Sequence, residues 1–495
     1  MVTIASTLER VKQDMEPYLP AESIRAACRD VGHRWRNRQL DPVATLHLFI
    51  LQVLCFNTAM THLRHLAKVT VSAAAYCKAR MRLPLAAIQQ LLRSSAQAMC
   101  NTAETAGRWC GLRVYLTDGS STIAPDTPDL QQHFPQRKSQ KPGCGFPQVK
   151  ILGLFDAFTG LVVEMLFFWL YSEDRSQVWK LHPLLGRGDL LVADRGFCSY
   201  VHLAMLSMRQ VLALFRMHQR QIVDFRPGRK SRGKGQKGKP NSRQVKRLGK
   251  QDHLVEWLKP TSRPKWMTDE QWRTLPATLR VRELRFTLKA RGQRTRVITI
   301  ATTLLDPRLY PKQKIADLYE VRWQVETHFG ELKTTLKMRR VKSQTADGVQ
   351  KELAVYALVY NLVHTVMVEA ARRQGTTPDR ISFIDTVRWL LSAEPGEALA
   401  DLLINPSRPD RHEPRVVKPI FYSRNPEVPI TADVMISEIG CGTTFLKVLA
   451  SLSGVHLTRV VAGNRPWHRL RAKKCGPLSH SSDKPKVLEF SSIGG

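Results

Sequence analysis

Three acidic residues occupy positions from which they could act together. Asp118 ends the β-branched and aromatic run LRVYLTDG, Asp194 ends the apolar run DLLVAD, and Glu326 lies within ADLYEVRWQVETHFGELKTTLKM. Carboxylates gathered at one point repel each other, and a pair of divalent cations is the usual resolution. Hard oxygen donors favour Mg²⁺, with Mn²⁺ able to substitute, over zinc. Two such ions roughly 3.5 to 4 Å apart activate an attacking oxygen and stabilise a leaving one in an in-line phosphoryl transfer. Taken singly, an aspartate before glycine is commonly a turn former, so the constellation carries the reading. Asp126, Asp129, Asp156 and Asp174 read as turn, cap or solvent residues.

The element that must present Glu326 spans residues 316–338. Its strong helix formers, its lack of proline and its single glycine, Gly330, predict one long helix. At about 100° per residue, Tyr319, Arg322, Glu326 and Lys333 fall within about 60° of arc. Leu318, Val321, Val325, Phe329, Leu332 and Leu336 form an adjoining apolar stripe that would pack on a core. Glu320 and Glu331 point away from the polar stripe, so Glu326 is the glutamate placed for chemistry. Arg322 and Lys333 then lie where scissile or flanking phosphates would be. The competing reading of the spacing is an ordinary amphipathic helix with a solvated face.

The aspartates require a sheet. Residues 112–122 predict a strand with Asp118 at its C-terminal tip, residues 149–160 and 161–170 predict a hairpin turning at Thr159-Gly160, and residues 189–200 predict a central strand ending at Asp194. A further strand, VLALFRM, precedes a Gly-rich basic stretch over residues 226–250 that cannot build a core. Residues 279–305 alternate basic and apolar residues with period two, as antiparallel strands with one basic face would. Residues 1–105 read as helical. Within them residues 69–84 predict a helix with Ser72 as N-cap and Lys78, Arg80 and Arg82 exposed, either a DNA-recognition helix or a plain bundle helix. Helices are expected again over residues 351–373 and 380–391, and the tail after Pro419 has weak periodicity.

A formal charge of +34 over 495 residues points to nucleic acid, because a polyphosphate rewards distributed Lys and Arg by counterion release. An anionic membrane surface and ribosomal RNA compete on charge alone. Nine cysteines without metal-ligand spacing suggest reduced thiols, and the stretch LHLFILQVLCF is too short to span a bilayer.

Tyr319, Arg322, Glu326 and Lys333, at that spacing, resemble the Tyr-Arg-Glu-Lys signature of bacterial insertion-sequence transposases of the type 4 family. Thr117-Asp118-Gly119 and Ala193-Asp194-Arg195-Gly196-Phe197 are similar to that family's two aspartate motifs. The resemblance implies an α/β protein: an RNase H-like catalytic core (residues 106–218 and 297–375) interrupted by a basic, β-rich insertion (219–296). An all-helical N-terminal domain (1–105) would bind double-stranded DNA at the element's terminal inverted repeats, which favours the DNA-recognition reading of residues 72–82. A helical C-terminal region (376–418) and a tail (419–495) follow. It further implies Asp118, Asp194 and Glu326 as the metal-binding triad, and Tyr319, Arg322 and Lys333 as residues that hold DNA near the cleaved end. The expected activity is Mg²⁺-dependent strand cleavage and transfer to target DNA, by a homodimer in the bacterial cytoplasm with no membrane partner. An inactive derivative that represses transposition by occupying element ends is the alternative. Trp257, Trp266 and Trp272 stand as candidates for capturing a flipped base.

Overall fold

A computed structural model describes residues 16–406, apart from residues 37, 68–70, 103–106, 220, 222, 227–241 and 289–295. Most of the basic loop and the whole tail after Pro419 lie outside the described residues. Among the described residues five helices come first: α1 (Ala21–Asp30), α2 (Pro42–Leu54), α3 (Met60–Ala67), α4 (Ala73–Arg82) and α5 (Leu85–Thr102). Next are β1 (Val114–Ile123), α6 (Pro128–His133), the hairpin β2 (Gln148–Asp156) and β3 (Val162–Trp169), β4 (Leu190–Ala193), α7 (Tyr200–Met208) and β5 (Leu212–Arg216). The segment beyond contributes β6 (Ser242–Gly249), β7 (Asp252–Leu258), α8 (Asp269–Thr274), β8 (Thr278–Leu288) and β9 (Arg296–Thr302). The chain then forms α9 (Lys312–Val321), α10 (Gln324–Gly330), a π-helical turn (Glu331–Thr335), α11 (Ala346–Arg373) and α12 (Phe383–Ser392).

The strands make one mixed sheet in the order β3-β2-β1-β4-β5-β9-β8-β7-β6. β1, β4 and β5 are parallel, while β2 and β3 fold back antiparallel on one side and β9 to β6 on the other. Alternation along the strands sends residues to two cores. Leu116, Leu190, Val192 and Leu214 join α9, α10 and α11 on one face, whereas Tyr115, Leu191, Ala193 and Phe215 pack with α7 and with Val255, Trp257 and Val281 of β7 and β8 on the other. β4 is apolar on both sides because both faces are covered.

Four expectations change. β1 does not stop at Asp118 but runs on to Ile123, since β2 pairs with it along that whole length. The basic stretch contains β6, which pairs with β7 despite its exposed side chains. The β8 strand does not present a uniform basic face: Arg282 is buried, its guanidinium donating to both carboxylate oxygens of Asp252 at 2.9 and 2.6 Å and to the Tyr310 carbonyl at 2.7 Å. An ionic partner on the neighbouring strand satisfied what the period-two pattern assigned to solvent.

The fourth change is the helix over residues 316–338, which breaks twice. Arg322 N–H and Trp323 N–H donate to carbonyls three residues back, as do those of Val325 and Glu326, so this turn is overwound. Further on, Leu336 N–H reaches back five residues to the Glu331 carbonyl at 3.0 Å, so that turn is widened. Propensity alone carries no sign of either, because both keep right-handed helical dihedrals.

The N-terminal helices share the first core with the sheet, α5 and α2 lying against α11. α11 is long and apolar enough to cross a membrane, but 83% of its most apolar window is buried inside the protein, as expected of a core helix.

Candidate active site

Register brings the two aspartates together. Thr117 on β1 lies opposite Ala193, the last residue of β4, so Asp118 and Asp194 follow side by side where β4 leaves the sheet. Both alternate onto the face covered by α9 and α10. Ser120, two residues beyond Asp118, shares that face. So does Arg216, which follows Leu214 on β5 by two residues.

The broken helix lays its stripe across this edge. The Arg322 guanidinium is buried and donates to Asp118 Oδ2 at 3.2 Å and to Glu326 Oε1 at 3.3 Å. Tyr319, also buried, donates its hydroxyl to Asp194 Oδ1 at 3.2 Å, and Arg216 stands 3.5 Å from the same oxygen. Lys333, on the π-helical turn, donates to Ser120 Oγ at 3.1 Å. Glu326 is the open member of the group, its side chain 65% exposed against 26% for Asp118 and 28% for Asp194. Burial raises the Asp118 carboxyl above the ordinary value; the Gly119 amide and Arg322 oppose this, while the negative charges of Asp194 and Glu326 add to it.

The six expected residues therefore meet at one place. Tyr319 and Arg322 are turned inward onto Asp194 and Asp118, on the overwound turn beneath the edge. Among the described residues the three acids are not gathered with all donor atoms within 4.8 Å of one another, and Arg322 serves Asp118 and Glu326 as a shared counter-charge. The all-carboxylate donor set is of the type that suits a hard divalent ion.

Of the four aspartates assigned to turns and caps, three behave so: Asp156 accepts from Thr159 N–H at 2.9 Å, Asp126 from Gln131 and Asp129 from the Ala346 amide. Asp174 begins a helical turn but also ion-pairs with Lys150 at 3.0 Å and packs against Gly119, next to Asp118. Asp174 thus lies on the sheet face opposite Asp118, and Arg216 and Ser120 were missed by sequence reading. Counting by twos along VLALFRM and TDGSST would have placed both on the site's face.

At the N-terminal helices, Ser72 caps α4 as expected, accepting from Ala75 N–H at 3.1 Å. Lys78 and Arg82 are exposed. Arg80 is not: it lies over the Phe49 ring at 3.6 Å and donates to Gln52 Oε1 at 3.0 Å and Ser343 Oγ at 3.3 Å. The helical period turns it onto α2, where stacking and hydrogen bonds satisfy its charge. Lys78 and Arg82 instead line a cleft of about 680 Å³ with Arg34, Trp35, Arg36 and Arg38. The stretch HRWRNR, in which basic residues flank an aromatic, was not singled out in the sequence. Trp257 is buried and donates to Glu283, and Trp266 stacks on His202, so neither indole is presented; Trp272 is half-buried beneath Lys259.

Comparison with known proteins places this arrangement. Residues 109–362 match the family model described as the transposase DDE domain. The chain is 27% identical over 368 residues to the transposase InsG for insertion sequence element IS4 of Escherichia coli (strain K12), covering 70% of this chain and 77% of that protein. The cryo-EM structure of a piggyBac transposase synaptic complex with hairpin DNA covers 77% of this chain and 78% of its own, at 8% identity and a TM-score of 0.39, a likeness too loose to carry a conclusion.

Proposed function

The chain belongs to the DDE-domain transposases, of the IS4 type, and from that premise we propose that it cuts double-stranded DNA at the terminal inverted repeats of its own insertion sequence and transfers the strands to target DNA. The observation that carries this reading is the meeting of Asp118, Asp194 and Glu326 at one sheet edge, tied by Arg322 and Tyr319. The strand order β3-β2-β1-β4-β5, with three antiparallel strands leading into a parallel pair, supports an RNase H-like core.

Asp118, Asp194 and Glu326 would hold divalent cations, Mg²⁺ or Mn²⁺ by donor type, and these supply an activated attacking oxygen and charge stabilisation for the leaving one. Tyr319 and Arg216 fix the Asp194 carboxylate from below. Arg322 keeps Asp118 and Glu326 within reach of one another against their mutual repulsion. Lys333, held at Ser120, stands beside Asp118 where a phosphate flanking the cut would lie. Lys78, Arg82 and the basic cleft around Trp35 form a surface suited to the backbone of repeat DNA. Two ends handled together call for a homodimer, acting where the bacterial chromosome is, in the cytoplasm.

The test is strand cleavage on inverted-repeat DNA with Mg²⁺. Asp194→Ala and Glu326→Ala each should lower cleavage by at least about a hundredfold while DNA binding persists. Undiminished cutting by either variant refutes the assignment, and binding without cutting by the unaltered protein under every divalent-metal condition leaves only a DNA-occupying role.

A further inference from the structure

On the far side of the same helix stands a second cluster. His328 on α10, Glu331 at the start of the π-helical turn and His364 on α11 offer ligand atoms that all lie within 4.8 Å of one another. His328 Nδ1 is 3.7 Å and His364 Nε2 3.4 Å from Glu331 Oε2, and the three side chains are 8%, 4% and 18% exposed, in the order His328, His364, Glu331. The Tyr360 hydroxyl, one turn before His364, is 2.9 Å from Glu331 Oε2 and 2.8 Å from His328 Nδ1.

Counting protons shows what the cluster lacks. His364 Nδ1 faces the Thr159 carbonyl at 3.1 Å, and a carbonyl only accepts, so the ring's proton belongs there. In the neutral ring, Nε2 then turns a lone pair toward a carboxylate oxygen. Tyr360 has one proton to place between Glu331 Oε2, which only accepts, and His328 Nδ1, which accepts unless it carries the ring's own proton. His328 Nε2 is buried with no hydrogen-bond partner among the described residues. With the His328 proton on Nδ1 its buried Nε2 keeps an unpaired lone pair, and with the proton on Nε2 that donor goes unpaired. In either case the neutral His364 ring turns a lone pair toward the Glu331 carboxylate, a mismatch that a cation or an extra proton removes.

We propose that His328, Glu331 and His364, with Tyr360 beside them, bind one transition-metal ion of the zinc type, separate from the acidic edge. Two imidazoles and a carboxylate are the donor set such ions prefer, unlike the all-carboxylate set across the helix. The pocket is also cut to receive the rings: at Gly160, whose φ is +73°, a Cβ would come within 2.6 Å of His364 Cε1 and Nδ1. The ion would tie α10 and the π-helical turn to α11, beside the β2–β3 turn, two residues from Glu326. Its role is to position the helix that carries Glu326.

The experiment is a titration of tag-free, chelator-stripped full-length protein with Co²⁺ alone, in excess Mg²⁺, read by visible absorption. The proposal expects one equivalent per chain, a ligand-field band free of thiolate charge transfer, and loss of that band when Zn²⁺ is added. His364→Gln and Glu331→Gln should weaken binding at least tenfold, while Asp118→Asn and Glu326→Gln leave it within twofold. Zn²⁺ should raise the thermal midpoint of the unaltered protein and not that of His364→Gln. Should either substituted protein fail to fold, the unaltered protein decides alone. Absence of the band there, a thiolate signature, or a band that survives in folded His364→Gln and Glu331→Gln overturns the proposal, the last two by placing the metal elsewhere and the first by leaving the cluster protonated.

Discussion

At the scale of residues, Arg322 organises the acidic edge more than any one acid does. A buried guanidinium with two carboxylates on its fork holds them where neither burial nor their mutual repulsion would leave them. Lysine keeps the charge but loses the two-pronged geometry. Arg322→Lys is therefore expected to reduce Mg²⁺-dependent cleavage by roughly tenfold or more, with affinity for repeat DNA in a gel-shift assay unchanged within about twofold. A parallel loss of DNA affinity would instead return Arg322 to the phosphates. The four-residue spacing made the edge legible in the sequence, yet the inward turn of Tyr319 and Arg322 depends on neighbours that no local pattern specifies.

At the scale of elements, the insertion segment is anchored through aromatic stacking with α7. His202 on α7 stacks on Trp266, 5.3 Å between ring centres, and its Nε2 bonds the Arg175 carbonyl at 2.7 Å. Burial lowers its pKa from 6.5 to about 4. The folded protein thus keeps His202 neutral while the unfolded chain takes up a proton below pH 6.5. This contribution is complete above pH 6.5, fades as pH falls, and is lost in full below about pH 4, a loss of about 3 kcal/mol at most. Urea unfolding at pH 7 and pH 5 should show a steeper decline for the unaltered protein than for His202→Gln. Equal slopes would rule His202 out as the cause. The apolar runs made β4, β5 and the hairpin readable in advance, because covered strands must be apolar. The overwound and widened turns around Glu326 were not readable, since hydrogen bonds shifted by one residue leave propensity untouched.

At the scale of the whole molecule, the charge of +34 called for a polyanion, but the fold decides which cations can meet it. Lys78 and Arg82 face the basic cleft while Arg80, between them, is interior. Removing Lys78 and Arg82 together should lower the slope of log affinity against log salt by about 2, reducing binding alike for repeat and unrelated DNA. Arg80→Ala should leave that slope unchanged and cost about 1 to 3 kcal/mol of stability in denaturant unfolding. The reverse pattern would make Arg80 the DNA contact.

The sequence by itself singled out Asp118, Asp194 and Glu326 as candidates and made the apolar strands and the helical stripe legible, because these are properties of residue type and local spacing. The tertiary structure alone decided that Asp118 sits within β1 rather than at its tip, that Arg216 and Ser120 complete the edge, and that His328, Glu331 and His364 converge behind it. Each of these depends on which strand pairs with which and on how far a helix turns against its support. Those are set by packing between segments tens to hundreds of residues apart, where burial and charge satisfaction outweigh local preference.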